Sequence, residues 1–149
     1  MDELAVALID LAGRSLRKAI GGARQRIGSD KSIVRGSVSA FIEQLRADDK
    51  LLHVLLREGT VGSDAFKKAV DRELEHFEEE LCIDLIRLAA AEGAKLHEPA
   101  LVSKAITRLV FAMGANAMEQ DTESQNRILT QTVDMIHMII AGSRHMAVR

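Results

Sequence analysis

Apolar residues recur at spacings of three and four along most of this chain, and no stretch alternates in the way a half-buried strand would. The first such stripe is Ala5, Ile9, Ala12, Leu16, Ile20, Ala23 and Ile27. It predicts a helix from Asp2 to about Ile27, roughly 40 Å long at 1.5 Å per residue. A second stripe, Leu4, Leu8 and Leu11, exists only in its first half. Beyond Gly13 the non-core face turns basic, with Arg14, Arg17, Lys18 and Arg24. The helix is therefore expected to be buried on one side throughout and on two sides only at its start.

"GSDK" ends this helix and caps the next, with Ser29 or Asp30 as N-cap. The second helix is expected over about 31–47, with Val34, Val38, Phe41, Ile42 and Leu45 inward. A short third helix, "DDKLLHVLLRE", stops at Gly59. Ser63 then caps a long helix to about Ala91, whose inward stripe is Phe66, Val70, Leu74, Phe77, Leu81, Leu85 and Leu88. Gly93 closes it. Pro99 opens a fifth helix, and Thr122 with Gln125 has capping-box spacing at the head of a sixth, which runs to near Met146. The expectation is an all-α bundle of six helices forming one domain over 1–149.

Two charge-free runs stand out, "LVFAMGANAM" at 109–118 and "MIHMIIAG" at 135–142. Consecutive helices that are apolar on more than one face need more cover than one chain's core supplies. A four-helix bundle made with the same pair from a second subunit would supply it. The alternative is a single-chain core with this pair at its centre. Ala112, Gly114, Ala115 and Ala117 would permit close approach. Interface candidates are Leu109, Ala112, Ala117, Val133, Ile136, Ile139 and Ile140.

Composition narrows the class. Hydrophobic residues are 47% and charged residues 28% of 149 positions, with one proline and neither tryptophan nor tyrosine, a helix-forming mixture with a real core. The net charge of −2 gives no global pull toward nucleic acid or an anionic membrane. No apolar run reaches the roughly 18–20 residues of a membrane span, and Asp2 and Glu3 stand where a secretory leader needs positive charge. With Cys82 as the single cysteine, no internal disulfide can form. A cytoplasmic location is expected.

Catalytic signatures are sparse: there is no G-x-S-x-G, phosphate-binding glycine loop or C-x-x-C. Glu73-x-x-His76 has the spacing used by di-iron bundles, but such sites need two of these motifs and two further carboxylates. The competing reading is an acidic, solvated helix face, with Glu73 at the edge of the inward stripe and His76 toward solvent. His53 and His137 sit in apolar runs, where a lone histidine is more often a hydrogen-bonded core or interface group than a ligand. Arg57 and Glu58 form either a local ion pair at a helix end or a polar latch at a pocket mouth. Gly13, Gly21 and Gly22 each weaken the first helix by about 1 kcal/mol relative to Ala, which suits a helix that bends or shifts.

The ordered blocks "MDELAVALIDLAG", "ARQRIGSDKSIVRGSVSAFIEQL", "LLREGTVGSDAFKKAVDRELEHFEEEL" and "LVFAMGANAME" resemble the C-terminal regulatory domain of TetR-family transcriptional repressors, in particular the FabR/DesT type that controls fatty acid synthesis. The likeness runs from Met1 to about His145. It implies no enzymatic activity and no cofactor, a homodimer through the last two helices, and a long-chain acyl-CoA or fatty acid as ligand. In that family a helix-turn-helix domain precedes the helix opened by "DEL"; here only Met1 precedes Asp2, so operator DNA is not an expected partner of these residues alone. The stripe Leu4, Leu8 and Leu11 is then the seat of that domain. An acyl ligand requires an apolar tunnel, and the large inward groups offered for it are Phe41, Leu45, Leu52, Leu55, Phe66, Val70, Phe77, Val110, Met113 and Met118. Arg14, Arg17 and Lys18, with Arg57 and Glu58, are the polar candidates for its mouth; a solvated face is the alternative role of the first three. A helical-bundle metal-binding protein or enzyme using Glu73 and His76, or a purely structural dimerisation module, are the other functions considered.

Overall fold

A computed structural model of the chain describes residues 2–26, 30–47 and 64–147. Among these residues there are five helices and no strand: α1 (Asp2–Arg26), α2 (Asp30–Arg46), α3 (Asp64–Ala91), α4 (Pro99–Ala117) and α5 (Thr122–Ala147). The helix expected over 48–58 lies outside the described residues, as do Leu52, Leu55, Arg57 and Glu58 and the side chains of Leu4 and Leu45.

The helices form a closed ring. α1 packs on α2 and α3, α3 on α4, α4 on α5, and α5 returns to α2. Each helix gives the ring its period-3.6 stripe, because burying that face is worth more than its own propensity. From α1 come Ile9, Ala12, Leu16 and Ile20; from α2, Ile33, Val38, Phe41 and Ile42; from α3, Val70, Leu74, Phe77 and Leu85. α4 adds Val102, Ile106 and Phe111, and α5 adds Ile128, Leu129, Val133 and Ile136. Three phenylalanines meet in the middle. Phe111 stands with its centroid 5.5 Å from Phe41 and 5.0 Å from Phe77, tilted and edge-on respectively, the arrangements that ring quadrupoles favour.

Two glycines make the close approaches. A Cβ at Gly114 would lie 2.2 Å from Cε1 of Phe41. Gly114 and fully buried Ala117 thus serve packing inside one chain, not approach to a second copy as expected from sequence. Gly13 lets α1 meet α3, where a Cβ would sit 2.3 Å from Oε2 of Glu73. A steric account therefore accompanies its helix-weakening effect. At Gly22 a Cβ would meet nothing within 4 Å.

The ends are sealed by polar contacts. Gly93, with φ of 68°, terminates α3 as the sequence implied. Pro99 occupies the first turn of α4. The capping box at α5 does not form. Asp121 is the cap, accepting a 2.7 Å bond from the Ser124 amide, while Gln125 turns inward and donates to the Ala117 carbonyl at 3.2 Å. The same Gln125 accepts from Arg46 at 3.1 Å, and Arg46 also bonds Asn126. One buried amide thus joins α2, α4 and α5. Arg108 fastens α4 to α3 through Glu78 at 2.9 Å and Asp71 at 3.3 Å.

Candidate functional site

Within the ring lies a cavity of about 390 Å³. α3 supplies one wall with Phe77, Leu81, Leu85, Leu88 and Ala89; α2 faces it with Ile33, Val34, Ser37 and Val38. α4 contributes Ile106, Thr107, Val110 and Phe111, and α5 contributes Ile136, His137, Ile140, Ala141 and Arg144. Ile20 of α1 and Leu96 of the α3–α4 connection complete it. The walls are aliphatic because four inward stripes converge here without enough volume to fill the centre. A size of this order, with mostly apolar walls and a few polar groups, is typical of small-molecule sites.

The cavity has two unlike ends. Phe77 and Phe111, packed edge-on against each other, line one, toward the N-terminal side of the α3 wall. At the other, Arg144 is 39% exposed and bonds Glu92 at 2.9 Å. Its neighbour Ser143 donates to the His97 carbonyl at 2.6 Å, which holds the α3–α4 connection against α5. Ser37 Oγ is buried with no partner among the described residues.

Of the residues expected to line a tunnel, Phe77 and Val110 do so. Phe41 and Val70 are buried core instead, and Phe66, Met113 and Met118 pack against that core from its edge. The reason is the phenylalanine cluster: it fills the end of the ring where Phe41 and Val70 lie, and the space opens toward the C-terminal half of α3. The signal for that half was present in the stripe Leu81, Leu85 and Leu88. His137 and Arg144 could have been placed beside it by their seven-residue spacing along α5, which puts both on one helix face.

The interface candidates divide. Ala117, Val133 and Ile136 are already buried within one chain and have no surface left to give a partner. Ile136 and Ile140 line the cavity. Leu109 and Ile139 are half-buried against the core, and Ala112 is exposed. The apolar groups α4 and α5 turn outward are instead Leu101, Met138 and Met146, of which Met138 is 70% exposed.

The polar candidates divide as well. Arg14 and Lys18 are exposed on α1, away from the cavity lining. Arg17 is no solvated residue. Its guanidinium enters the α1–α3 seam, 3.6 Å from Glu73 Oε2 and 3.3 Å from Glu80. Glu73, the candidate for a solvated face, is 4% exposed and fits under Gly13. Burial drives its carboxyl above the ordinary value, a bond with Asp10 adds to this, and Arg17 opposes it only in part. His76 is exposed and pairs weakly with Glu79. Among the described residues no three His, Cys, Asp or Glu side chains are grouped to hold a metal. Cys82 is half-buried and unpaired with another cysteine.

No protein-family model matches the sequence. Among the described residues no helix is long and apolar enough to cross a membrane.

Proposed function

We propose that this chain is the ligand-sensing and dimerisation domain of a TetR-type transcriptional regulator that responds to an acyl ligand and controls lipid genes. The apolar cavity inside the helical ring is the observation that carries the reading. It gives an acyl chain a place to be buried. At about 0.8 kcal/mol per methylene, a chain of twelve carbons gains on the order of 10 kcal/mol before its ordering cost.

A binding pocket becomes a switch only where occupancy favours one of two states. Ile20 of α1 is part of the cavity wall, so filling the cavity bears directly on the seating of α1. That helix also exposes Leu8 and Leu11, 37% and 46% accessible. In this reading that stripe is the seat of a helix-turn-helix unit, through which DNA contact is made. The second subunit covers the outward face of α4 and α5 around Leu101, Met138 and Met146.

The test has two arms. Dodecanoyl- and hexadecanoyl-CoA and the corresponding fatty acids, well above their dissociation constants, are expected to raise the melting temperature, and free CoA is not. Stabilisation by free CoA equal to that by every acyl compound, or by no acyl compound at all, defeats the acyl reading. In sedimentation velocity the chain is expected to be a dimer at micromolar concentration, and Met138→Glu a folded monomer, because the new charge would have to be desolvated at the seam. A monomeric unmodified chain defeats the dimer.

A further inference from the structure

We infer that the connection between α3 and α4 is the gate of the cavity, a short strap hinged at Gly93 and Glu98 and held shut by Ser143. This rests on the reading of the cavity as a ligand site.

The strap is part of the wall. Leu96 lines the cavity and packs against the core, while Lys95 and His97 on either side of it are exposed. The same lining includes Ala89 near the end of α3 and Ala141 and Arg144 in the last turns of α5. One apolar side chain thus covers the cavity where these two helix ends meet, and lifting it opens the interior to water.

Both ends of the strap are left-handed backbone. Gly93 and Glu98, with φ of 68° and 54°, are the positive-φ positions among the described residues. Glycine adopts that conformation freely. Glu98 does not: it stands at φ 54°, ψ 61° ahead of Pro99, with no side-chain cap to compensate, so the closed strap carries strain. Element-terminal residues of this kind absorb the backbone rotation when a segment swings.

A latch opposes the strain. Ser143 Oγ donates to the His97 carbonyl at 2.6 Å, and the His97 amide donates to the Ser143 carbonyl at 3.4 Å. This reciprocal pair ties the strap to α5. A strained segment held by a latch and one buried side chain is a two-state element, closed or lifted, that opens without unfolding the ring. It sets how fast a ligand enters and leaves, not how tightly it is held.

The experiment reads rates. Stopped-flow fluorescence of cis-parinaric acid, a fatty acid that emits when buried, gives association with the full chain, and displacement by excess oleate gives dissociation. Hydrogen exchange followed by mass spectrometry reads the amides of 94–98 without any ligand. Ser143→Ala is expected to speed probe entry, probe exit and strap exchange alike by about fivefold, the equivalent of one net hydrogen bond. The dissociation constant is expected to stay unchanged, because the latch is made in the empty and filled states alike. Glu98→Gly, which relieves the closed state, is expected to slow all three processes; a merely loose loop would be speeded. Arg108→Gln cuts the tie of α4 to Glu78, away from the strap, and is expected to lower stability and leave the rates as they were. Unaltered rates in Ser143→Ala, acceleration in Glu98→Gly, or equal acceleration in Arg108→Gln overturns the gate. A probe that never binds removes the acyl reading instead. The order of strap exchange, slowest in Glu98→Gly and fastest in Ser143→Ala with the unmodified chain between them, then decides the gate by itself.

Discussion

Replacing Gly114 with alanine isolates the cost of one methyl group pressed against one ring. Gly114 and Gly22 both lie inside helices, so Gly→Ala brings each a similar backbone gain of up to about 1 kcal/mol. They differ in what the new Cβ meets. At Gly22 there is nothing within 4 Å. At Gly114 the Cβ would lie 2.2 and 2.5 Å from Cε1 and Cζ of Phe41. Phe41 is 1% exposed and backed by Phe111, so the ring has no free direction of retreat. Overpacking of that kind costs about 1–3 kcal/mol, and the lack of relief argues for the upper part of the range. Gly114→Ala is then expected to lose about 1–2 kcal/mol net, while Gly22→Ala gains up to about 1. For a chain of this size each kcal/mol moves the melting temperature by about 2–4 °C. Circular dichroism melts of the two variants therefore move in opposite directions. Adding Phe41→Leu to Gly114→Ala should cost less than the sum of the single changes, since each removes what the other offends. A rise in melting temperature for Gly114→Ala matching that of Gly22→Ala would refute the packing argument.

Two further outcomes follow from the polar contacts. Glu73 has a carboxyl raised by burial from its ordinary value of 4.5, so its native state holds the proton more tightly than the unfolded chain does. The stability this gives is fully present below the unfolded value and is lost as pH rises through the folded one. Glu73→Gln, neutral at every pH, is therefore expected to exceed the unmodified chain in urea midpoint at pH 7 and to match it at pH 4; equal midpoints at both would show that Arg17 compensates the buried charge fully. Gln125→Leu strips the Ala117 carbonyl and Arg46 of a buried partner and is expected to cost about 1–3 kcal/mol in urea unfolding. No loss would mean that water takes over the amide's role.

The helical stripes were legible because the residues that build them have no other physical use: Ile9, Leu16, Phe77 and Leu85 can only be buried. The polar interior was not. Glu73 reads as part of an acidic surface until α1 is laid on α3, when Gly13 and Arg17, four residues apart on one face, provide the room and the counter-charge. Gly114 and Ala117 read equally well as a dimer seam and as an internal contact, because small size tells how close two backbones come and not which two. Gln125 matched a capping box by spacing, yet Asp121 already supplied the cap and left the amide to the interior. The cavity was half legible. Periodicity identifies which side chains point inward, and the packing of three phenylalanines determines where inward-pointing groups fall short of filling the space.

The ring has an order of assembly built into it. Its closing seam joins α2 to α5 through Arg46 and Asn126, eighty positions apart in the chain. During synthesis the inward stripe of α2 can find α1 at once, but its neighbours α4 and α5 emerge only after α3. Until Thr122–Ala147 has left the ribosome, Ile33, Val38 and Phe41 lack one wall, and what will become the cavity is an open, wet groove. The pocket is therefore completed only when α5, the last of the ring's five described helices in chain order, is in place, and a chain interrupted before α5 is expected to present that groove to chaperones.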